Sequence, residues 1–233
     1  MNDLKKKNVG IVDYGLGNLF SIKHACASAG MTAEITSSKI KLLRADAVIL
    51  PGVGAFGDAM NALRRLDLIE TIKDIGESDK PLIGICLGMQ LLFTESNEFG
   101  LFKGLDLIEG EVVKFDKFRE PNVKLKVPQI CWNRIYSVDE NGFEKTGKHS
   151  PSNWHNTLLE KIENGSFMYF VHSYYCIPSD SSVDLTRTIY GTTTYCSALK
   201  KKNVYGFQFH PERSGTTGLK IYKELNKLVG GIG

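Results

Sequence analysis

The chain has 233 residues, 42% hydrophobic and 24% charged, which suffices to enclose one sizeable core, so a single domain over 1–233 is expected. Its net charge of +3 is too small and too dispersed for nucleic-acid binding: the basic runs Lys5-Lys6-Lys7 and Lys200-Lys201-Lys202 are short, lack interleaved aromatics and read as solvated faces. No apolar run has the length of a membrane span, VGIV is too short for a secretory segment, and the five scattered cysteines form no CxxC pair, so the reading is a cytoplasmic protein with neither disulfides nor a metal or cofactor.

In chain order, NVGIVDY (8–14) reads as a buried strand and NLFSIKHACASAG (18–30) as a helix closed by Gly30. TAEIT is a weaker strand and DAVILPG (46–52) a clear one. GDAMNALRRLDLIETIKDIG (57–76) forms one or two helices, and PLIGI (81–85) is a strand followed by a helix from 87 to about 95. Strands separated by helices imply right-handed crossovers and a doubly wound, mostly parallel α/β sheet. Beyond residue 106 the pattern changes. LIEGEVVKF (107–115), WNRIYSV (132–138), SFMYFVHSYY (166–175), TIYGTTTY (188–195) and NVYGFQF (203–209) read as strands with few helices between them, hence antiparallel additions to the sheet. A last helix is expected over about 214–228, and the polar, turn-rich stretch 139–157 reads as a surface excursion.

GICLG (84–88) matches the G-x-nucleophile-x-G pattern of a nucleophile elbow, in which a sharp turn between strand and helix exposes the reactive atom. The turn leaves little room for neighbouring Cβ atoms, which accounts for Gly84 and Gly88, and N–H groups at the start of the next helix favour the thiolate of Cys86. Taken alone, the pattern describes a core cysteine between packing glycines equally well. A thiol nucleophile needs a base. His210 follows a predicted strand in YGFQFHPERS (205–214), and Glu212, two residues on, lies where extended backbone points both side chains the same way. His24, His149 and His155 read as ordinary histidines. His172, in VHSYY, also ends a strand near the site but lacks a nearby carboxylate. Pro51-Gly52-Val53-Gly54 ends a strand in a turn whose N–H groups, with that of Leu87, suit an oxyanion hole. No GK[ST] follows that turn, so the phosphate-loop reading fails, and DYGLGNLF (13–20), lacking the third glycine of a dinucleotide fingerprint, reads better as a tight exposed turn than as an NAD site.

GICLGMQLL, FQFHPE (207–212) and PGVG (51–54) together resemble the class I, triad-type glutamine amidotransferases, whose fold is flavodoxin-like. DYGLGNLFS, PGVGAFGDAM and YFVHSYY (169–175) resemble, more narrowly, the glutaminase subunits of imidazole glycerol phosphate synthases, over nearly the whole chain. The resemblance implies that Cys86 attacks glutamine, His210 protonates the departing ammonia and Glu212 orients His210. It also implies that Gly52, Val53 and Leu87 stabilise the oxyanion, and that Gly52, Gln90, Ser173, Tyr174 and Ser214 line the glutamine pocket. Ammonia would pass to a (β/α)₈ synthase partner in a heterodimer of histidine biosynthesis, docked near Gly15 to Asn18 and Trp132-Asn133, with glutaminase activity gated by the partner's ligand. Two departures leave an alternative open, a paralogue feeding ammonia to an amidino-sugar synthase of surface polysaccharide. The family stretch PHMGWN appears as PQICWN (128–133), with Gln129 and Cys131 at the changed positions, and the excursion over about 140–154 is long.

Overall fold

The computed structural model describes residues 6–116, 125–138 and 154–230. Its first half alternates strand and helix: β1 (Asn8–Val12), α1 (Leu19–Ser28), β2 (Thr32–Thr36), α2 (Lys39–Arg44), β3 (Ala47–Leu50), α3 (Phe56–Arg65), α4 (Ile69–Glu77), β4 (Leu82–Ile85) and α5 (Leu87–Leu91). The strands here run parallel in the order β2-β1-β3-β4, as short runs buried on both faces require. Side chains alternate along each strand. Val9, Ile11, Ile49, Ile83 and Ile85 pack with α1, while Val12, Val48, Leu50 and Leu82 pack with α2, α3 and α4 on the opposite face. The sheet is therefore covered on both sides, which is the doubly wound arrangement. The six-residue α2 had no counterpart among the predicted elements. It lies close over β1 at Gly10, where an added Cβ would stand 3.0 Å from Leu42 Cδ2.

The predicted helix from 87 to about 95 is overturned: α5 stops at Leu91, and Phe93–Ser96 forms β5. A continuous apolar run such as MQLLF does not distinguish helix from strand by period, and here parallel pairing with β7 (Ile108–Lys114) decides it. The short β6 (Phe102–Lys103) pairs with β5 at the sheet edge.

Three further stretches divide where single strands were expected. WNRIYSV splits into β8 (Gln129–Arg134) and β9 (Tyr136–Ser137), and SFMYFVHSYY into β10 (Phe167–His172) and β11 (Tyr174–Pro178), broken at Ser173. Among the described residues β10 pairs only with β8, in a separate two-stranded ribbon, while β11 joins the main sheet between β7 and β13 (Thr193–Lys201). TIYGTTTY is the tip of a long hairpin, β12 (Asp184–Tyr190) and β13 (Thr193–Lys201), turning at Gly191 with a φ of 61°. The strand β14 (Val204–Phe207) returns the chain to the parallel region beside β4, and α6 (Gly215–Gly230) covers the α1 face. The excursion lies outside the described residues up to 153. Beyond it, Trp154 is buried and its Nε1–H donates to the Leu185 carbonyl at 2.9 Å.

Candidate active site

β3, β4 and β14 lie side by side and parallel, so the turns that follow them, Pro51–Gly54, Cys86 and Gln208–His210, meet at one edge of the sheet. This is the carboxyl edge where open α/β sheets place their sites. The resulting cavity, about 250 Å³, is lined by Val53, Cys86, Gln90, Glu98, Ser173 and Tyr174 among others, a size suited to a small metabolite.

Cys86 has φ 55° and ψ −112°, a backbone conformation that costs a residue bearing a Cβ on the order of 1–3 kcal/mol. Its surroundings impose it. The Cys86 N–H donates to the Phe207 carbonyl at 2.7 Å, and its own carbonyl accepts from Met89 at 3.0 Å, so the residue is clamped between β14 and α5. The flanking glycines are required by contact. A Cβ on Gly84 would stand 2.7 Å from the Gly88 oxygen, and one on Gly88 only 1.8 Å from the Leu50 oxygen. Sγ lies 3.7 Å from the Val171 carbonyl and 3.8 Å from Gln208 Nε2.

His210 Nδ1 sits 2.8 Å from Glu212 Oε1, with both side chains buried, and Nε2 has no hydrogen-bond partner among the described residues. Burial opposes the imidazolium, yet the Cys86 sulfur and the Glu212 carboxylate outweigh it and raise the histidine to about 10. The expected route to the His–Glu contact is corrected. Pro211–Arg213 is a 3₁₀ turn rather than extended strand, and that turn brings Glu212 back onto Nδ1. A closed ring of bonds fixes the histidine backbone: its N–H donates to the Tyr169 carbonyl at 3.0 Å, Ser214 Oγ donates to the His210 carbonyl at 2.7 Å, and the Tyr169 N–H donates to Ser214 Oγ at 3.0 Å. Ser214 Oγ is thus committed to the backbone behind His210.

Gly52 lies buried under the elbow, where a Cβ would meet Leu87 Cβ at 2.8 Å and the Gly88 nitrogen at 3.0 Å. The PGVG turn is therefore stacked on the start of α5, and Val53 faces the cavity. Gln90 Nε2 donates to the Tyr174 carbonyl and to Gln208 Oε1, both at 3.0 Å, which ties α5 to β11 and to the sulfur's neighbour. Asn18, at the start of α1, accepts from Ser21 Oγ at 2.9 Å, and Trp132 is half exposed on β8. Trp132 meets Tyr169 edge-on at 5.9 Å, and with Ile130 it forms an exposed apolar face on the ribbon.

Three residues at the site escaped the sequence reading. Gln208 bridges Gln90 and Cys86, Tyr14 donates from its buried hydroxyl to the Pro51 carbonyl at 2.6 Å beneath the PGVG turn, and Glu98 lines the cavity while its Oε2 accepts the Phe56 N–H at 2.6 Å. Burial raises the Glu98 carboxyl. Only the Q-F-H run next to the base hinted at Gln208; for the other two no local pattern exists.

His24 and His155 are exposed, and His149 lies outside the described residues. His172 is different. Its Nδ1 lies 2.8 Å from the Tyr174 carbonyl and its Nε2 3.3 Å from Tyr195 Oη, and burial lowers its pKa to about 4. Nδ1 therefore carries the proton and the ring is neutral. Because the folded value lies below the unfolded value of about 6.5, this histidine's contribution to stability is present above pH 6.5 and is lost as pH falls toward 4. Between pH 7 and pH 5 the loss is about 2 kcal/mol, so urea unfolding of a His172→Gln variant should show a pH dependence weaker by that amount.

The model of the family described as glutamine amidotransferase class-I matches residues 10–225. "Imidazole glycerol phosphate synthase subunit HisH" of Wolinella succinogenes is 44% identical over 220 residues, covering 94% of this chain and 99% of that one. "Imidazole glycerol phosphate synthase subunit HisH 1" of Legionella pneumophila (strain Paris) is 41% identical over 221 residues, covering 95% and 99%. Among solved structures, PurLQS from Thermotoga maritima superposes with a TM-score of 0.65 at 20% identity, over 94% of this chain and 97% of that one, a likeness of fold. With a family match across the elbow, the base and the sheet that joins them, the chain belongs to the class I glutamine amidotransferases.

Proposed function

We propose that the protein is the glutaminase subunit of an imidazole glycerol phosphate synthase, which hydrolyses glutamine to glutamate and supplies the ammonia for histidine biosynthesis. One observation carries the reading: Cys86, held on a strained elbow in the cavity wall, lies close enough to the buried His210–Glu212 pair for its sulfur to act on the imidazole. The relatives, at 41–44% identity over almost their whole length, support the histidine pathway over the amidino-sugar alternative.

In this mechanism the Cys86 thiolate attacks the side-chain carbonyl carbon of glutamine. The N–H groups of Leu87 and of the Gly52–Val53 turn receive the developing oxyanion. The imidazolium gives its Nε2 proton to the departing nitrogen, and ammonia leaves a thioester on Cys86. The neutral imidazole then takes a proton from water, whose attack on the thioester releases glutamate and restores the thiolate. Glu212 keeps the Nδ1 proton in place throughout. Glu98, the carboxylate in the cavity wall, is suited to the α-ammonium of glutamine, and Gln90, Ser173 and Tyr174 complete the pocket.

A cytoplasmic (β/α)₈ synthase would dock on the exposed face of Ile130 and Trp132 and on the Gly15–Asn18 turn. The ribbon behind that face carries Val171, whose carbonyl is the sulfur's near neighbour, so docking lies one strand from the nucleophile. No helix among the described residues is long and apolar enough to cross a membrane. The test is glutamate formation by the purified chain alone, with a cyclase subunit of histidine biosynthesis, and with an amidino-sugar synthase. Weak activity alone and a rise of about 10²-fold or more with the cyclase and its nucleotide is expected, in the range of gating by assembly. A response only to the sugar-processing synthase overturns the pathway assignment.

A further inference from the structure

Besides His210 Nε2, two buried polar atoms beside the site have no hydrogen-bond partner among the described residues. Glu212 uses Oε1 on His210, and its Oε2 is buried without a hydrogen bond; the hydroxyl of Tyr222, 3% exposed on α6, is buried and unbonded as well. Such groups are costly when left unpaired, so a donor and an acceptor buried in one place call for a common explanation.

The packing of α6 brings them together. At Gly218 the helix lies directly on the His210–Glu212 turn, where a Cβ would stand 2.0 Å from the Pro211 carbonyl oxygen. Tyr222 is one helical turn further on the same face, and it shares a small apolar cavity with Pro211, the residue between base and carboxylate. The titratable groups that act on Tyr222 are Glu212 from the 3₁₀ turn and Cys26 from α1. Burial first, then the Glu212 charge, raise the phenol far above its usual range, so it stays protonated and is a donor. The two atoms share no direct hydrogen bond, and a single water between them would satisfy both.

We infer that Tyr222 is a positioning residue for the catalytic relay, its hydroxyl serving the free Oε2 of Glu212 across one water and thereby fixing the carboxylate against His210. The relay then has four members, Cys86, His210, Glu212 and Tyr222, the last reached from the C-terminal helix. This inference rests on the mechanism proposed above for the same site. The phenol touches neither substrate nor reacting atoms. Its effect is on the imidazolium: with Oε2 held, Oε1 stays aligned with the Nδ1 proton, and the ion pair with the thiolate is maintained.

The experiment compares wild type with Tyr222→Phe, which keeps the ring and removes only the hydroxyl. The first readout is the rate at which iodoacetamide alkylates Cys86, followed by peptide mass, since this reports the thiolate population and needs no glutamine. A fall of about threefold is expected, together with a fall in kcat for glutamate of about fivefold at unchanged KM. In a Glu212→Gln background the same substitution should change neither. Unchanged alkylation and kcat, a change confined to KM, or an equal loss in the Glu212→Gln background each overturns the inference. A raised thermal midpoint with unchanged alkylation, the mark of an idle buried hydroxyl, does so too. If wild type releases no glutamate with any synthase the glutaminase reading fails, while the alkylation comparison still decides the role of Tyr222.

Discussion

Replacing Cys86 by alanine is expected to lower glutamate formation by at least about 10⁴-fold, almost wholly in kcat, while the chain stays folded. In the proposed mechanism the nucleophile and its base act as a unit. His210 is raised to about 10 chiefly because a sulfur and a carboxylate oppose the cost of its burial, and without the sulfur the imidazole has no thiolate to pair with and no thioester to hydrolyse. The pocket formed by Gln90, Ser173 and Tyr174 is untouched, so KM should move little. The same position separates function from stability. At φ 55° an alanine keeps the strain that the cysteine bears, whereas glycine does not, so Cys86→Gly should be more stable than Cys86→Ala by about 1 kcal/mol and equally inactive. Thermal melts of the two variants and a glutamate assay check both halves. Equal midpoints would mean that the elbow stores no strain; residual turnover within tenfold of wild type would remove Cys86 from the reaction.

What could be read from the chain follows from how local each cause is. β1, β3 and β4 were legible because each is a short apolar run bounded by turn residues and buried on both faces, and the elbow because both glycines stand within five residues around the cysteine, Gly84 answering a contact inside that motif and Gly88 one with Leu50 on β3. The end of α5 was not, since only pairing with β7, twelve or more residues away, makes Phe93–Ser96 a strand. The break at Ser173 is likewise tertiary: β10 leaves to pair with β8, and the break gives the cavity a wall from Ser173 and Tyr174. The pairing of His210 with Glu212 was read correctly for the wrong backbone, because Pro211 turns the segment into a 3₁₀ coil that reaches the same contact. Tyr14, Glu98 and Tyr222 acquire their places only through contacts between elements distant in the chain, and no spacing announces them.

Gly88→Ala should be the most damaging single methyl in the protein. The added carbon would stand 1.8 Å from the Leu50 carbonyl oxygen and 2.8 Å from its carbon, against backbone at the end of β3 that is itself bonded into the sheet. No side-chain rotation relieves such a contact; α5 must lift, β3 must shift, or both. Overpacking against movable side chains costs about 1–3 kcal/mol, and a clash with fixed backbone belongs above that range, so a loss of at least about 3 kcal/mol is expected. For a chain of this length the thermal midpoint then falls by roughly 6–12 °C. Catalysis should fail before unfolding does. Lifting α5 moves the Leu87 N–H away from the Gly52–Val53 turn stacked on it and releases the clamp that holds Cys86 between Phe207 and Met89, so kcat should drop by about 10²-fold or more in protein that is still folded. Gly230→Ala, where an added Cβ meets nothing within 4 Å, is the control and should leave both quantities unchanged. Wild-type activity and melting in Gly88→Ala would show that the close seating of α5 on β3 is not what builds the elbow.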